Sequence, residues 1–77
     1  MNKLRRKQIE DINDTLANLL EQLKVLRDEE QEAYDNMPES LQDSERGEKM
    51  SEAIDNMESA IDSITEATEY LNESIEQ

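Results

Sequence analysis

Apolar residues recur along this chain at alternating intervals of three and four, and this spacing constrains the fold more than any other feature. The first half contains the following series: Ile9, Ile12, Leu16, Leu19, Leu23, Leu26, Ala33 and Met37. The second half contains a similar series: Met50, Ile54, Met57, Ile61, Ile64, Thr68, Leu71 and Ile75. Because such steps place side chains on one face of an α-helix, each half is predicted to be a long amphipathic helix with a coiled-coil seam.

The turn-forming residues cluster between these two series. The only proline, Pro38, lies there, and either Asp43 or Ser44 is a favourable N-cap for a following helix whose first turn is acidic. The chain is therefore predicted to form one domain over 1–77. Its predicted elements are a first helix over about 3–35, a turn over 36–44 and a second helix over about 45–76.

The predicted fold is all-α, an antiparallel two-helix coiled-coil hairpin. Facing residues in such a hairpin have position numbers with a constant sum, and the register that best aligns the two apolar series has its midpoint at Ser40. In that register Leu16 faces Ile64, and Ala33 faces Gly47. Glycine lowers helix propensity, so its presence there predicts that the helices approach closely near the turn.

A hairpin of this size buries little apolar surface, so we expect it to associate as a homodimer that forms a four-helix bundle. Small residues recur every seven positions beside the seam of the second helix, where they would let another helix come close. The candidate interface residues are Leu20, Tyr34, Ala53, Ala60 and Ala67. For Leu20 and Tyr34 an alternative role, widening the core of a single hairpin, fits the sequence equally well.

The composition argues against catalysis. The chain has no Cys and no His, which removes the usual nucleophile, general base and soft metal ligands. Glu29 and Glu32, with Glu52 and Asp55, resemble the paired carboxylates that hold magnesium in all-α nucleotide pyrophosphohydrolases. However, such pairs arise by chance among 21 acidic residues, and Glu52 and Asp55 fall on outer heptad positions. We expect no catalytic residue, no metal site and no cofactor.

The charge of the chain narrows the class of partner. A net charge of -13 disfavours direct binding to nucleic acid or to an anionic membrane, since both require cationic surface. The same negative charge leads us to expect a basic partner. Because the N-terminal residues form no apolar targeting or membrane-spanning run, we expect a cytoplasmic protein. Its basic N-terminal residues, Lys3, Arg5, Arg6 and Lys7, are predicted to lie beside Glu69, Glu73 and Glu76 and to neutralise them.

One acidic row stands out on the second helix at successive outer heptad positions. We call it the acidic face: Glu48, Glu52, Asp55, Asp62, Glu66, Glu69, Glu73 and Glu76. Like charges four residues apart destabilise a helix by about 0.2–0.5 kcal/mol per pair. Neighbouring carboxylates of the face would stand ~5–6 Å apart, which is comparable to the spacing of phosphates along a nucleic acid strand. The face predicts either simple solubility or a nucleic-acid-like decoy that occupies the basic groove of a host protein.

The residues around the turn also carry a resemblance. The segment Asn36-Met37-Pro38-Glu39-Ser40-Leu41-Gln42-Asp43-Ser44-Glu45-Arg46-Gly47-Glu48, within the stretch 29–64, resembles small acidic proteins of unassigned function carried by phages and mobile elements of Gram-positive bacteria. This resemblance implies a non-enzymatic accessory protein that acts against host defence by binding and inhibiting or sequestering a host protein.

Two alternatives remain open from the sequence. Pro38, Ser44, Arg46, Glu52 and Ala53 are loosely similar to the turn of phage nucleotide-sponge proteins, which implies binding of a cyclic or modified nucleotide by a helical oligomer. The cations available for such a ligand near the hairpin tip are Arg46, Lys49, Lys24 and Arg27. The other alternative is a structural or scaffolding coiled coil.

Overall fold

A computed structural model describes all 77 residues and contains helices but no strands. Its elements are α1 (Lys3–Asp35), α2 (Glu39–Gln42) and α3 (Glu45–Glu76). Helices α1 and α3 pack side by side to give a rod 58 Å long and 15 by 13 Å across. The all-helical hairpin is thus confirmed, and the segment between the long helices contains one further helical step, α2.

Both long helices begin at a side-chain cap. The Asn2 side chain accepts a hydrogen bond of 2.7 Å from the backbone N–H of Arg5, at the start of α1. The Ser44 hydroxyl accepts one of 3.3 Å from the N–H of Gly47 and donates to the carbonyl of Leu41. Of the two candidate caps, Asp43 and Ser44, it is therefore Ser44 that caps α3, and it also ties α3 to the short helix α2.

Gly47 is buried where α3 passes the backbone of α2. A Cβ at this position would lie 2.5 Å from the carbonyl oxygen of Leu41, which is too close for a carbon atom. The close approach predicted for Gly47 is therefore present, but its neighbour is α2 and not Ala33, which is exposed. The Gln42 side chain also donates a 2.9 Å hydrogen bond to the Tyr34 carbonyl and so fixes α2 against the end of α1.

The core is narrow. Three apolar side chains are buried, Leu20 from α1 and Ile54 and Ile61 from α3. Other apolar residues of the two helices, such as Leu16 and Met57, are half-buried. Every residue of the apolar series predicted for the second helix is buried or half-buried. For α3, the predicted seam is therefore the observed one.

The predicted seam of α1 is wrong at alternate positions. Ile12, Leu19 and Leu26 are exposed, whereas the buried or half-buried residues of α1 include Arg6, Ile9, Asn13, Leu16, Leu20, Leu23, Arg27, Glu30 and Tyr34. The apolar surface of α1 is wider than one helix can cover, because a second helix contacts only one stripe. Helix α3 covers the side that contains Leu20 and leaves the other side open.

The register also differs from the prediction. Asn13 Nδ2 donates a hydrogen bond of 2.7 Å to Asn72 Oδ1, whereas the predicted register places Asn13 opposite Ala67. Helix α3 is therefore shifted by about one helical turn, and the chain reverses near Gln42 instead of Ser40. The physical reason is α2, which the apolar periodicity does not reveal and which packs against the first turn of α3 through Gly47.

Candidate functional site

The acidic face lies on the outer surface of α3. All eight of its residues are exposed. The four ion pairs of the structure use other carboxylates, so no residue of the face is paired with a cation. Its one recorded side-chain hydrogen bond is that of the Tyr70 hydroxyl, which donates to Glu66 Oε1 at 3.2 Å. The carboxylates are therefore free to contact a partner.

The geometry of this face follows from the helix that carries it. Between Glu48 and Glu76 the row extends over roughly 40 Å at ~1.5 Å per residue, and residues three or four apart are neighbours on the helix surface. The α3 segment contains ten acidic and two basic residues, compared with nine acidic and six basic in α1. The face is thus a straight, strongly negative edge held by a helix whose other side is packed.

The basic N-terminal residues do not pair with the acidic end of α3. Lys7 Nζ lies 3.0 Å from Asp11 Oδ1 one turn along its own helix, and all the ion pairs lie within single helices. The hydrogen bond to Asp11 and the attraction of its charge raise the pKa of Lys7. The predicted neutralisation of Glu69, Glu73 and Glu76 by direct ion pairs across the hairpin is therefore wrong.

The cations proposed for nucleotide binding separate into two places. Arg46 and Lys49 lie in a shallow groove at the hairpin tip, here called the tip groove: Glu30, Glu45, Arg46, Lys49, Met50 and Ala53. Lys49 Nζ is 3.2 Å from Glu45 Oε1, so the groove holds two cations and two carboxylates, with one pair in contact. Its charges balance, which gives a phosphate little electrostatic advantage.

Lys24 and Arg27 lie outside the tip groove on α1. Lys24 Nζ is 3.3 Å from Glu21 Oε1, and Arg27 Nε is 2.8 Å from Asp28 Oδ1. Three of the four proposed cations therefore already have a carboxylate partner. The structure does not bring the four together around one site.

The residues proposed for an oligomer interface differ in how far they are buried within the hairpin. Leu20 is buried in the core of the single hairpin, which is the position that its alternative role requires. Tyr34 is half-buried beside α2. Ala53, Ala60 and Ala67 are exposed on α3 and remain available for a partner.

Two further findings concern metals and membranes. The structure contains no group of three or more acidic side chains close enough together to hold a metal ion. No helix in it combines the length and the apolar character needed to cross a membrane.

The sequence pattern did not reveal one apolar surface on α1, because the whole apolar series of this helix was assigned to the seam with α3. We call it the α1 strip, and all of its members are exposed: Ile12, Thr15, Asn18, Leu19, Gln22, Val25 and Leu26. None of these residues is charged, although 38% of the chain is. That local lack of charge was the sequence signal that could have identified the strip.

The chain matches no protein-family model, no curated protein and no solved structure. The similarity of its turn segment to small acidic phage proteins therefore stays a resemblance.

Proposed function

We propose that this protein binds a basic protein partner through the acidic face of α3 and competes there with nucleic acid. One observation carries this proposal. Eight carboxylates line one exposed edge of a long helix, and none of them has a cationic neighbour in contact. Such an edge attracts a cationic groove over its whole length, and the attraction is strongest at low salt.

The contrast with α1 argues for use of the face beyond solubility. Solvated helix faces normally intersperse lysine with glutamate, because opposite charges one turn apart stabilise a helix and like charges destabilise it. Helix α1 has this pattern in Lys7 with Asp11 and in Lys24 with Glu21. Helix α3 retains the repulsion along most of its outer edge, which favours a role that requires uncompensated negative charge.

The chemistry of the face indicates the class of partner. Carboxylates ~5–6 Å apart on a straight edge approximate the charge sequence of a phosphate backbone. A protein that binds nucleic acid through lysine and arginine would therefore accept this edge in the same groove. In the setting that the phage resemblance implies, the partner is a host defence protein, and the consequence of binding is its inhibition or sequestration.

A charge-reversal experiment tests the proposal. The test variant changes four residues of the face to lysine: Glu52, Asp55, Glu66 and Glu69. The control variant makes the same changes at four exposed acidic residues outside it: Glu10, Asp14, Asp35 and Glu39. Both variants have the same net charge, so a difference between them reports the position of the charges and not their number.

The tagged chain and both variants are used to capture proteins from a Gram-positive host lysate, and captured proteins are identified by mass spectrometry. We expect a basic nucleic-acid-binding protein that duplex DNA displaces, with binding at least about tenfold weaker for the face variant than for the control. Equal binding by the two variants, or capture that duplex DNA leaves unchanged, would contradict the proposal. The nucleotide-sponge alternative gains no support from the tip groove, because its cations are balanced by carboxylates.

A further inference from the structure

We propose that a second copy of this chain packs antiparallel on the α1 strip, giving a dimer whose two acidic faces point outward. This assigns the interface to α1, whereas the small residues of α3 suggested the opposite helix. The proposal depends on four features of the structure: exposed apolar residues, a local lack of charge, an excess of surface area, and charge complementarity between the two ends of α1.

The first two features are local. Ile12, Leu19 and Leu26 are 54%, 49% and 56% exposed and recur every seven residues, so they form one line along the helix. Thr15 and Gln22, which lie between these residues on the same side of the helix, are uncharged, and the charge nearest to the line, Asp11 beside Ile12, is paired with Lys7. Isolated exposed leucines are ordinary on a protein surface, but a continuous apolar line free of charge has the composition of an interface centre.

The third feature is the surface area of the whole molecule. The chain has 5808 Å² of accessible surface, and a compact monomer of the same mass, 9.0 kDa, is expected to have about 4,900 Å². The difference, roughly 900 Å², is close to the ~800 Å² that each partner buries in a standard protein–protein interface. A second copy on the α1 strip has the right size to remove this excess.

The fourth feature selects the antiparallel orientation. A twofold axis at Leu19 sets Ile12 of one copy against Leu26 of the other, so the line of apolar residues is complementary to itself. The same axis brings the basic start of α1 in one copy, which contains Arg5, near the acidic end of α1 in the other, which contains Glu29 and Glu32. None of these three residues has an ion pair within its own hairpin. A parallel pair would instead place like charges together at both ends.

Net charge favours α1 over α3 as the buried helix. The α3 segment has eight more acidic than basic residues, and the α1 segment has three more. A pair of α3 helices in contact through the alanines would bring two acidic edges close together at a cost in repulsion. A pair of α1 helices keeps these edges on opposite sides of a four-helix bundle, where each is accessible to a partner.

Sedimentation equilibrium of the full chain provides the first test. We expect the wild-type chain to have twice its 9.0 kDa mass at micromolar concentration and to dissociate on dilution. Leu19→Glu places two like charges at the twofold axis and should raise the dissociation constant at least about 100-fold. Leu41→Glu is the matched control, because Leu41 is 48% exposed and lies on α2 outside the strip. It should leave the dissociation constant within a few-fold of the wild-type value.

Ala60→Glu distinguishes the two helices. If α1 forms the interface, this variant stays dimeric; if it dissociates while Leu19→Glu does not, the proposal is overturned. A wild-type chain that is monomeric at all concentrations up to millimolar overturns it as well. Circular dichroism of Leu19→Glu at the same dilution as the monomeric wild type verifies that the hairpin itself is retained.

A charge exchange tests the orientation without altering the apolar line. Arg5→Glu should weaken the dimer about tenfold, and adding Glu29→Arg and Glu32→Arg to it should restore most of the affinity. Restoration requires that the two ends of α1 lie together in the assembly. If the triple variant is weaker than Arg5→Glu alone, an antiparallel contact centred on Leu19 is wrong.

Discussion

Helices α1 and α3 have nearly the same length, 33 and 32 residues, but they distribute apolar and charged side chains differently. Helix α3 uses its whole apolar series within the hairpin and leaves an unpaired acidic edge outside. Helix α1 has more apolar surface than α3 can cover, and several of its charges are paired along the helix. The two helices that close one core therefore present two different outer surfaces.

This difference indicates a division of roles. The inner side of α3 fixes the hairpin through Ile54 and Ile61, so its outer side is free to carry charge that does not stabilise the fold. The inner side of α1 contributes Leu20, and its outer side retains an apolar strip that a monomer does not need. On the proposals above, α3 is the helix for a foreign partner and α1 is the helix for a second copy.

The largest expected effect is the difference in unfolding free energy between truncating a buried apolar residue and truncating an exposed one. Ile54→Ala should lower the free energy of unfolding by about 2–4 kcal/mol, because it leaves a cavity in a core with few buried side chains. Leu26→Ala should cost less than about 1 kcal/mol when measured in dilute, monomeric protein, because Leu26 is exposed. Urea denaturation followed by circular dichroism measures both changes. Equal losses for the two variants would show that the strip is part of the hairpin core.

The sequence predicted the α3 seam correctly and the α1 seam only in part, for a definite physical reason. Ile54 and Ile61 belong to a single apolar stripe with charge on its flanks, so only one face of α3 can be buried. In α1 both Leu19 and Leu20 are apolar, and spacing alone does not decide which of them faces α3. The choice depends on the register, which in turn depends on how α2 packs against Gly47.

The second prediction compares the starts of the two helices. Ser44→Ala should cost about 1–2 kcal/mol, because it removes the cap of α3 and the contact of the Ser44 hydroxyl with the carbonyl of Leu41 in α2. Asn2→Ala should cost less than half as much, because the Asn2 side chain makes one capping hydrogen bond and ties α1 to no other element, so the first turn of α1 can fray without moving α3. Thermal denaturation of both variants measures the difference, and Ser44→Thr, which keeps a hydroxyl, should remain near the wild-type Tm. Equal effects of the two alanine variants would mean that α2 does not help to anchor α3.

For the candidate site, the exposure of the acidic face could be predicted from the sequence, but its lack of cationic partners could not. The exposure of the acidic face follows from its outer heptad positions, which the correct α3 seam specifies. The lack of cationic partners does not follow from periodicity, because Lys3, Arg5, Arg6 and Lys7 could have reached the acidic end of α3 from the neighbouring helix. Lys7 pairs instead with Asp11 on its own helix, and the register of the assembled hairpin is shifted from the predicted one.

The smallest expected effect tests whether α3 retains its charge row at the expense of stability. Asp62 lies one turn from both Glu58 and Glu66, so Asp62→Lys replaces two repulsive neighbours with two attractive ones and should raise the free energy of unfolding by about 0.5–1 kcal/mol. The matched change in α1, Glu21→Lys, removes the 3.3 Å pair with Lys24 and should lower it by a few tenths of a kcal/mol.

Both effects of these lysine variants should shrink in high salt, because exposed charges are screened. If Asp62→Lys stabilises the hairpin and also weakens capture of the basic partner, the charge row opposes stability and serves binding. If the variant is no more stable than the wild type, repulsion along α3 is negligible. The acidic edge would then need no explanation beyond solubility, and the contrast between the two helices would reduce to their apolar surfaces.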